Sequence, residues 1–189
     1  NLFSQFTKNE DTLNKIISIY RNSAGIPREI TLKKVFKEVL DKTVSNQEVE
    51  NLSLDYSKHI FLRLETIEPL KGFLEYLAIH KEINKHIISG APNSDIFYLI
   101  KKLNLSKYFK SIKGGPLNKK NEIINIMKLA KVKARDIVYF GDQKNDCIAA
   151  KSAGVGFIGI NAGSNLDAME CKRFTDFDKL IAYEIASRT

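Results

Sequence analysis

Residues 138–154, VYFGDQKNDCIAAKSAG, hold two carboxylates four positions apart where an apolar run gives way to a helical one. Ile137-Val138-Tyr139-Phe140 reads as a buried strand, Gly141 interrupts it, and Ile148-Ala149-Ala150 with Ala153 begins a helical stripe closed by Gly154. That order places Asp142 and Asp146 at the carboxyl end of a strand, where open α/β sheets bind their ligands. Hard oxygen donors there suit magnesium, which takes one or two carboxylates and fills the rest of its shell with water and phosphate oxygens. The same two residues could instead cap the helix and improve its first turn, and the stretch alone leaves both readings open.

Outward from this stretch, the chain from about Pro69 alternates between short apolar runs and helical stripes. Leu70, Phe73, Leu74 and Leu77 mark a helix, His86-Ile87-Ile88 a strand, and Ile96, Phe97, Ile100 and Leu103 a second helix. Ser111-Ile112 reads as a short strand, Ile123, Ile124, Met127 and Ala130 as a helix, Val155 to Ile160 as a strand, and Phe177 to Ala186 as a closing helix. Strands alternating with helices of this length imply a parallel sheet covered on both faces, so the fold class is α/β with a Rossmann-like core.

Residues ahead of this region read as helical throughout. Leu13, Ile16, Ile17 and Tyr20 share one helical face, as do Leu32, Val35, Phe36, Val39 and Leu40, and then Val49, Leu52, Tyr56 and Ile60. Gly25-Ile26-Pro27 separates the first two helices, and Ser45 with Glu48 forms a capping box that starts the third. The sequence divides into a helical module over 1–66 and an α/β core over 67–189.

Composition narrows the class of function. The chain has 189 residues, enough for one substantial core and a small second module. Its 30 basic and 22 acidic residues give a net charge of +8, and 24 of the basic residues are lysine. A positive field gathers anionic substrates. The lysines are nevertheless scattered, and no arginine-rich stripe interleaved with aromatics is present, so nucleic acid is not the expected partner. No apolar run is long enough to span a membrane and no signal peptide is visible. Cys147 and Cys171 with His59, His80 and His86 do not form a metal-site spacing, and Cys147 reads as core packing. A reducing cytoplasm is the expected setting. Nothing in the sequence sets the oligomeric state.

Three polar features follow strand ends in chain order. Ser89-Gly90 follows His86-Ile87-Ile88, Lys119 opens a helix after Gly114-Gly115-Pro116, and Asp142 with Asp146 follows Phe140. In a parallel sheet such ends converge on one edge, which would bring a hydroxyl, an ammonium and two carboxylates to one crevice. Phosphoryl transfer requires such a set: hydrogen bonds to the phosphate oxygens, a cation to offset charge, and an acidic site for a bridging metal.

On these motifs the sequence resembles the haloacid dehalogenase-like superfamily, in its phosphoglycolate phosphatase and β-phosphoglucomutase-like branch with a helical cap. HIISGAP resembles the second family motif, which implies that Ser89 and the Gly90 amide bind phosphate. GGPLNKKNEI resembles the third, whose lysine neutralises nucleophile and phosphate; spacing from Pro116 selects Lys119, with the adjacent Lys120 as the alternative. GDQKNDCIAA resembles the fourth, with Asp142 and Asp146 as magnesium-site carboxylates. The resemblance makes residues 1–66 the cap, which in this family supplies specificity, and Arg28 the candidate substrate contact.

One motif departs from the pattern. The family carries Asp-x-Asp-Gly at its first core strand, with the first aspartate as nucleophile and the second as general acid and base. Here the only D-x-D is Asp176-Phe177-Asp178, which precedes a helix and reads as a cap. Gly154-Val155-Gly156-Phe157-Ile158-Gly159 fits G-x-G-x-x-G but leads from helix to strand, the reverse of a dinucleotide site. The numbering begins at Asn1 rather than methionine, and the expectation is that the first core strand with its two aspartates precedes it. The implied activity of the parent protein is magnesium-dependent hydrolysis of a small phosphorylated metabolite, of the phosphoglycolate or sugar phosphate class, through an aspartyl-phosphate. Residues 1–189 by themselves are then expected to be inactive. A phosphomutase of the same branch and a non-catalytic ligand- or partner-binding relative are the alternatives, whereas the lysine and acidic pair suit a dianion better than a halide.

Overall fold

The first helix starts where Asn9 accepts the Thr12 amide at 3.0 Å, in a computed structural model that describes residues 2–23 and 26–187. This is α1 (Glu10–Asn22), with Glu10 and Asp11 in its first turn and Ile16 buried. Gly25 of the expected break lies outside the described residues; Pro27 directly precedes α2 (Arg28–Glu38), whose Leu32, Val35 and Phe36 are buried. The expected capping box is formed, with the Ser45 amide donating to Glu48 Oε2 at 2.8 Å and the Glu48 amide to Ser45 Oγ at 3.2 Å. It starts α3 (Asn46–Leu64). Phe3, Ile16, Leu32, Val35, Phe36 and Val49 close a common core, against which Phe6 sets its ring edge-on to Phe36 at 5.1 Å.

The chain forms two compact units. The first comprises Asn1–Ile67, Ser89–Leu99 and Lys113–Pro116, and the second Glu68–Ile88, Ile100–Ile112 and Leu117–Thr189. The three helices are therefore joined by two short segments from the region read as α/β.

The remaining elements are α4 (Phe73–Ile79), β1 (His86–Ile88), α5 (Asn93–Lys102), β2 (Ser111–Lys113), α6 (Lys119–Ala130), β3 (Val138–Gly141), α7 (Lys144–Ala153), β4 (Gly156–Ile160), β5 (Lys172–Phe174) and α8 (Phe177–Ala186). Strands β3, β4 and β5 lie side by side and parallel, with Val138 opposite Gly156, Gly141 opposite Gly159 and Ile160 opposite Phe174. Helix α7 makes the crossover from β3 to β4 and ends at Gly154, whose φ of 75° is the left-handed cap that lets the chain turn back into the sheet. Ile123, Ala149, Ala150 and Val155 are buried against one another, as are Ile160, Phe177 and Leu180.

The α/β architecture with parallel strands agrees with the sequence, and three details differ or sharpen. Among the described residues the strands form two small sheets, β1-β2 and β3-β4-β5, rather than one. Strand β5 has no sequence signal because Lys172-Arg173-Phe174 sits at the sheet edge with two exposed side chains, where no apolar alternation is required. Asp176 accepts the Lys179 amide at 3.0 Å and caps α8, the role read for it from its position. Among the described residues no helix is long and apolar enough to cross a membrane.

Candidate active site

The site in the second unit is built from the loop between β3 and α7. Asp146 occupies the first turn of α7, and its Oδ2 accepts the Gln143 amide at 3.2 Å, satisfying one of the amides that a helix start leaves without a partner. Its carboxylate turns inward over Gly141. A Cβ at position 141 would stand 2.4 Å from Asp146 Cβ and 2.7 Å from its Oδ2, so only glycine permits this approach. Gly141→Ala is expected to lower stability by about 1–3 kcal/mol, as overpacking does elsewhere, read from urea unfolding followed by circular dichroism. An unchanged midpoint would mean that the loop yields without strain.

Lys119 opens α6 behind Asn118, which accepts the Asn121 amide at 3.1 Å. Its Nζ donates to Asp146 Oδ1 at 2.6 Å, with side-chain exposures of 13% and 6% for lysine and aspartate. This is a buried, charge-assisted contact rather than a surface pair. Lys120, the sequence alternative, is exposed. The Tyr139 hydroxyl from β3 also donates to Asp146 Oδ1, at 3.3 Å, and lies 3.4 Å from the Ile88 carbonyl of β1. Burial, followed by the Asp146 charge, pushes the Tyr139 phenol above its ordinary range, which keeps it a neutral donor. Asp146 thus receives an ammonium, a phenol and an amide.

Asp142 differs from its neighbour. It is exposed, and its Oδ2 accepts from Gln143 Nε2 at 2.6 Å. The donor set fits magnesium, with a hard oxygen of Asp142 open to solvent and the Asp146 carboxylate four positions on in the same loop and helix start. Lys119, Tyr139 and Gln143 already engage both Asp146 oxygens, whereas the Asp142 carboxylate is open to solvent. Among the described residues no group of three or more His, Cys, Asp or Glu side chains is arranged to hold a metal ion, so a cation here would complete its shell with water and ligand oxygens.

Ser89, Gly90 and Arg28 belong to the first unit. The Ser89 amide donates to the Lys113 carbonyl at 3.0 Å, and Ser89 Oγ accepts the Ala91 amide at 3.2 Å, which shapes the turn. A hydroxyl that accepts in this way keeps its own proton for donation. The Gly115 amide donates to Ala91 O at 2.7 Å, and Gly114 comes so near that a Cβ there would meet Ala91 O at 2.5 Å.

Arg28 is held differently from the substrate contact expected for it. Its guanidinium donates to Ser53 O at 2.9 Å, to Ser57 Oγ at 2.8 Å and to Asp95 Oδ2, while Ser57 Oγ donates to Asp95 Oδ1 at 2.6 Å. It also lies 4.5 Å from the Tyr56 ring centroid. With side-chain exposures of 8% for Arg28 and 7% for Asp95, the charge is committed inside the unit. Tyr139, Gly141, Asp95 and Ser57 carry no sequence signal for these roles. Gly141 was read only as the interruption of a strand.

The fold and this site define an α/β protein of Rossmann-like type with an acidic loop and a buried lysine at the carboxyl end of a parallel strand. Residues 8–160 match the haloacid dehalogenase-like hydrolase family, and the chain belongs to that family. It is 25% identical over 171 residues to a phosphoglycolate phosphatase of Pseudomonas fluorescens strain Pf0-1, a match covering 80% of this chain and 62% of that protein. The chain spans less than two thirds of the length of curated relatives it matches, 62% of one and 52% of another. In fold it is similar to a predicted phosphoglycolate phosphatase from Haemophilus somnus 129PT, with a TM-score of 0.70 at 16% identity over 85% of this chain and 78% of that one. A predicted phosphatase from Clostridium acetobutylicum gives a TM-score of 0.68 at 18% identity, covering 93% and 87% of the two chains.

Proposed function

We propose that the chain is the cation-binding and phosphate-holding part of a magnesium-dependent phosphatase acting on a small phosphorylated metabolite. The observation that carries this reading is the buried Lys119–Asp146 contact at 2.6 Å with the open Asp142 carboxylate in the same loop. Asp146 holds the lysine ammonium in one position. A preset donor of this kind needs no reorganisation when phosphoryl charge develops. When bound, magnesium supplies further charge neutralisation and orients phosphoryl oxygens, with Asp142 as its proposed protein ligand. Ser89 and the Gly90 amide are the proposed phosphate donors, and residues 1–66 the proposed cap.

The reading also needs a nucleophile, and no Asp-x-Asp-Gly occurs in residues 1–189. We place it on a strand elsewhere in the parent protein. Supporting this, β1 and β3 fall in separate sheets, and the Tyr139 hydroxyl lies 3.4 Å from the Ile88 carbonyl across the division between them. A strand inserted there would join the two sheets. The relationship to a phosphoglycolate phosphatase favours phosphoglycolate or a sugar phosphate as substrate.

The test is release of inorganic phosphate from a panel of phosphate monoesters, using the protein as its gene encodes it. Release should require magnesium and stop in EDTA, and Asp142→Ala should lower the rate by about 10²–10³-fold, the usual effect of losing one charge-stabilising group. Release that survives both treatments overturns the reading. Interconversion of hexose phosphates without free phosphate would identify a mutase instead.

A further inference from the structure

Cys147 and Cys171 are far apart in the chain but close in the fold. Cys147 follows Asp146 in the first turn of α7 and is fully buried, whereas Cys171 lies directly ahead of β5 and is half-buried. Both belong to a cluster with Ala162, Leu166, Phe157 and Met169. Both are free thiols, and Cys171 packs against the buried cluster that holds Cys147.

We propose that Cys147 and Cys171 form an oxidative modification site, in which a hydroperoxide drives a disulfide that tethers the first turn of α7 to the segment entering β5. Exposure sets the order of events. The accessible Cys171 sulfur attacks the peroxide O–O bond and takes one oxygen to become sulfenic acid, while the other oxygen leaves as water when the oxidant is hydrogen peroxide. The Cys147 sulfur then attacks the Cys171 sulfur, the S–S bond forms, and the hydroxyl leaves with the thiol proton as a second water. Two thiols lose two electrons in all and the peroxide gains them. Because both sulfurs belong to one packed cluster, local movement within it is what would bring them to the ~2.05 Å of a disulfide. Reversible bonds of this kind in a reducing setting are redox-responsive rather than structural.

The tether would act on Asp146, the immediate neighbour of Cys147 and the partner of Lys119. This coupling, but not the bond itself, rests on the proposed phosphatase reading. The experiment treats the reduced protein with hydrogen peroxide, quenches with an alkylating reagent and measures intact mass without reductant. The expected result is a monomer lighter by about 2 Da, with titratable thiols in denaturant falling by two. A peptide joining Cys147 to Cys171 should appear, and dithiothreitol should reverse every change. Phosphate release should fall severalfold in the crosslinked protein and return on reduction. Persistence of both thiols, oxygen addition at Cys171 with Cys147 still reduced, or bonds only between molecules would overturn the site. An unchanged rate in fully crosslinked protein would overturn the coupling to Asp146. Failure of the phosphatase reading would show separately, as no release before oxidation.

Discussion

Lys119→Ala is expected to destabilise the second unit by about 3–5 kcal/mol, because it leaves the Asp146 carboxylate buried without its counter-charge. Tyr139 and the Gln143 amide would remain as donors, at 3.3 Å and 3.2 Å. Neither carries charge, so neither offsets the cost of a desolvated anion. The cost is that of breaking the pair rather than its net worth. Lys119→Met with Asp146→Leu, which replaces both charges with apolar groups of similar size, should recover much of the loss. Urea unfolding of the two variants measures the difference, and a loss below about 1 kcal/mol for Lys119→Ala would place the pair in the solvated class. Under the proposed function the same variant should also lose phosphate release by about 10²–10³-fold. The double variant would not regain it. That divergence between stability and activity separates a working lysine from a merely structural one.

Arg28→Met should cost a similar amount, about 3–5 kcal/mol, confined to the first unit. It strands Asp95 at 7% side-chain exposure and takes from Ser53 O and Ser57 Oγ their guanidinium donor. The Tyr56 ring loses a cation on its face, a smaller effect of about 0.5–2 kcal/mol. Asp95→Asn should also destabilise the first unit, since its Oδ1 can still accept from Ser57 but an amino group turned toward the guanidinium sets donor against donor and leaves Arg28 without its counter-charge. A substrate-contacting arginine would behave in the opposite way, with stability preserved and KM raised. Thermal unfolding of Arg28→Met beside its KM for the preferred phosphate ester decides between the two.

These variants also show where a linear reading succeeds. Helices α1, α2 and α3 were legible because each buries one stripe, and a stripe is a sequence period. Strand β3 was legible because Ile137 to Phe140 is a continuous apolar run, although it is an edge strand of its sheet with Val138 exposed rather than the buried strand expected. Strand β5 was not, since an edge strand needs no apolar side chains to complete its ladder. Lys119 and the acidic pair were legible because each follows a strand or turn signal close by. Asp95, separated from Arg28 by 67 positions, was not. The partner of a buried charge is chosen by packing, and packing leaves no local period.

From the sequence alone came the α/β class, the early helices, the capping residues and the stretches that hold the polar groups, all of which depend on interactions among residues a few positions apart. The tertiary structure decided what each charge does. It set Asp146 under Lys119 and Tyr139, left Asp142 open to solvent, enclosed Arg28 with Asp95, and packed Cys171 against the cluster that holds Cys147. Desolvation makes those choices, because the energy of a charge depends on everything that excludes water from it, most of which lies far away in the chain.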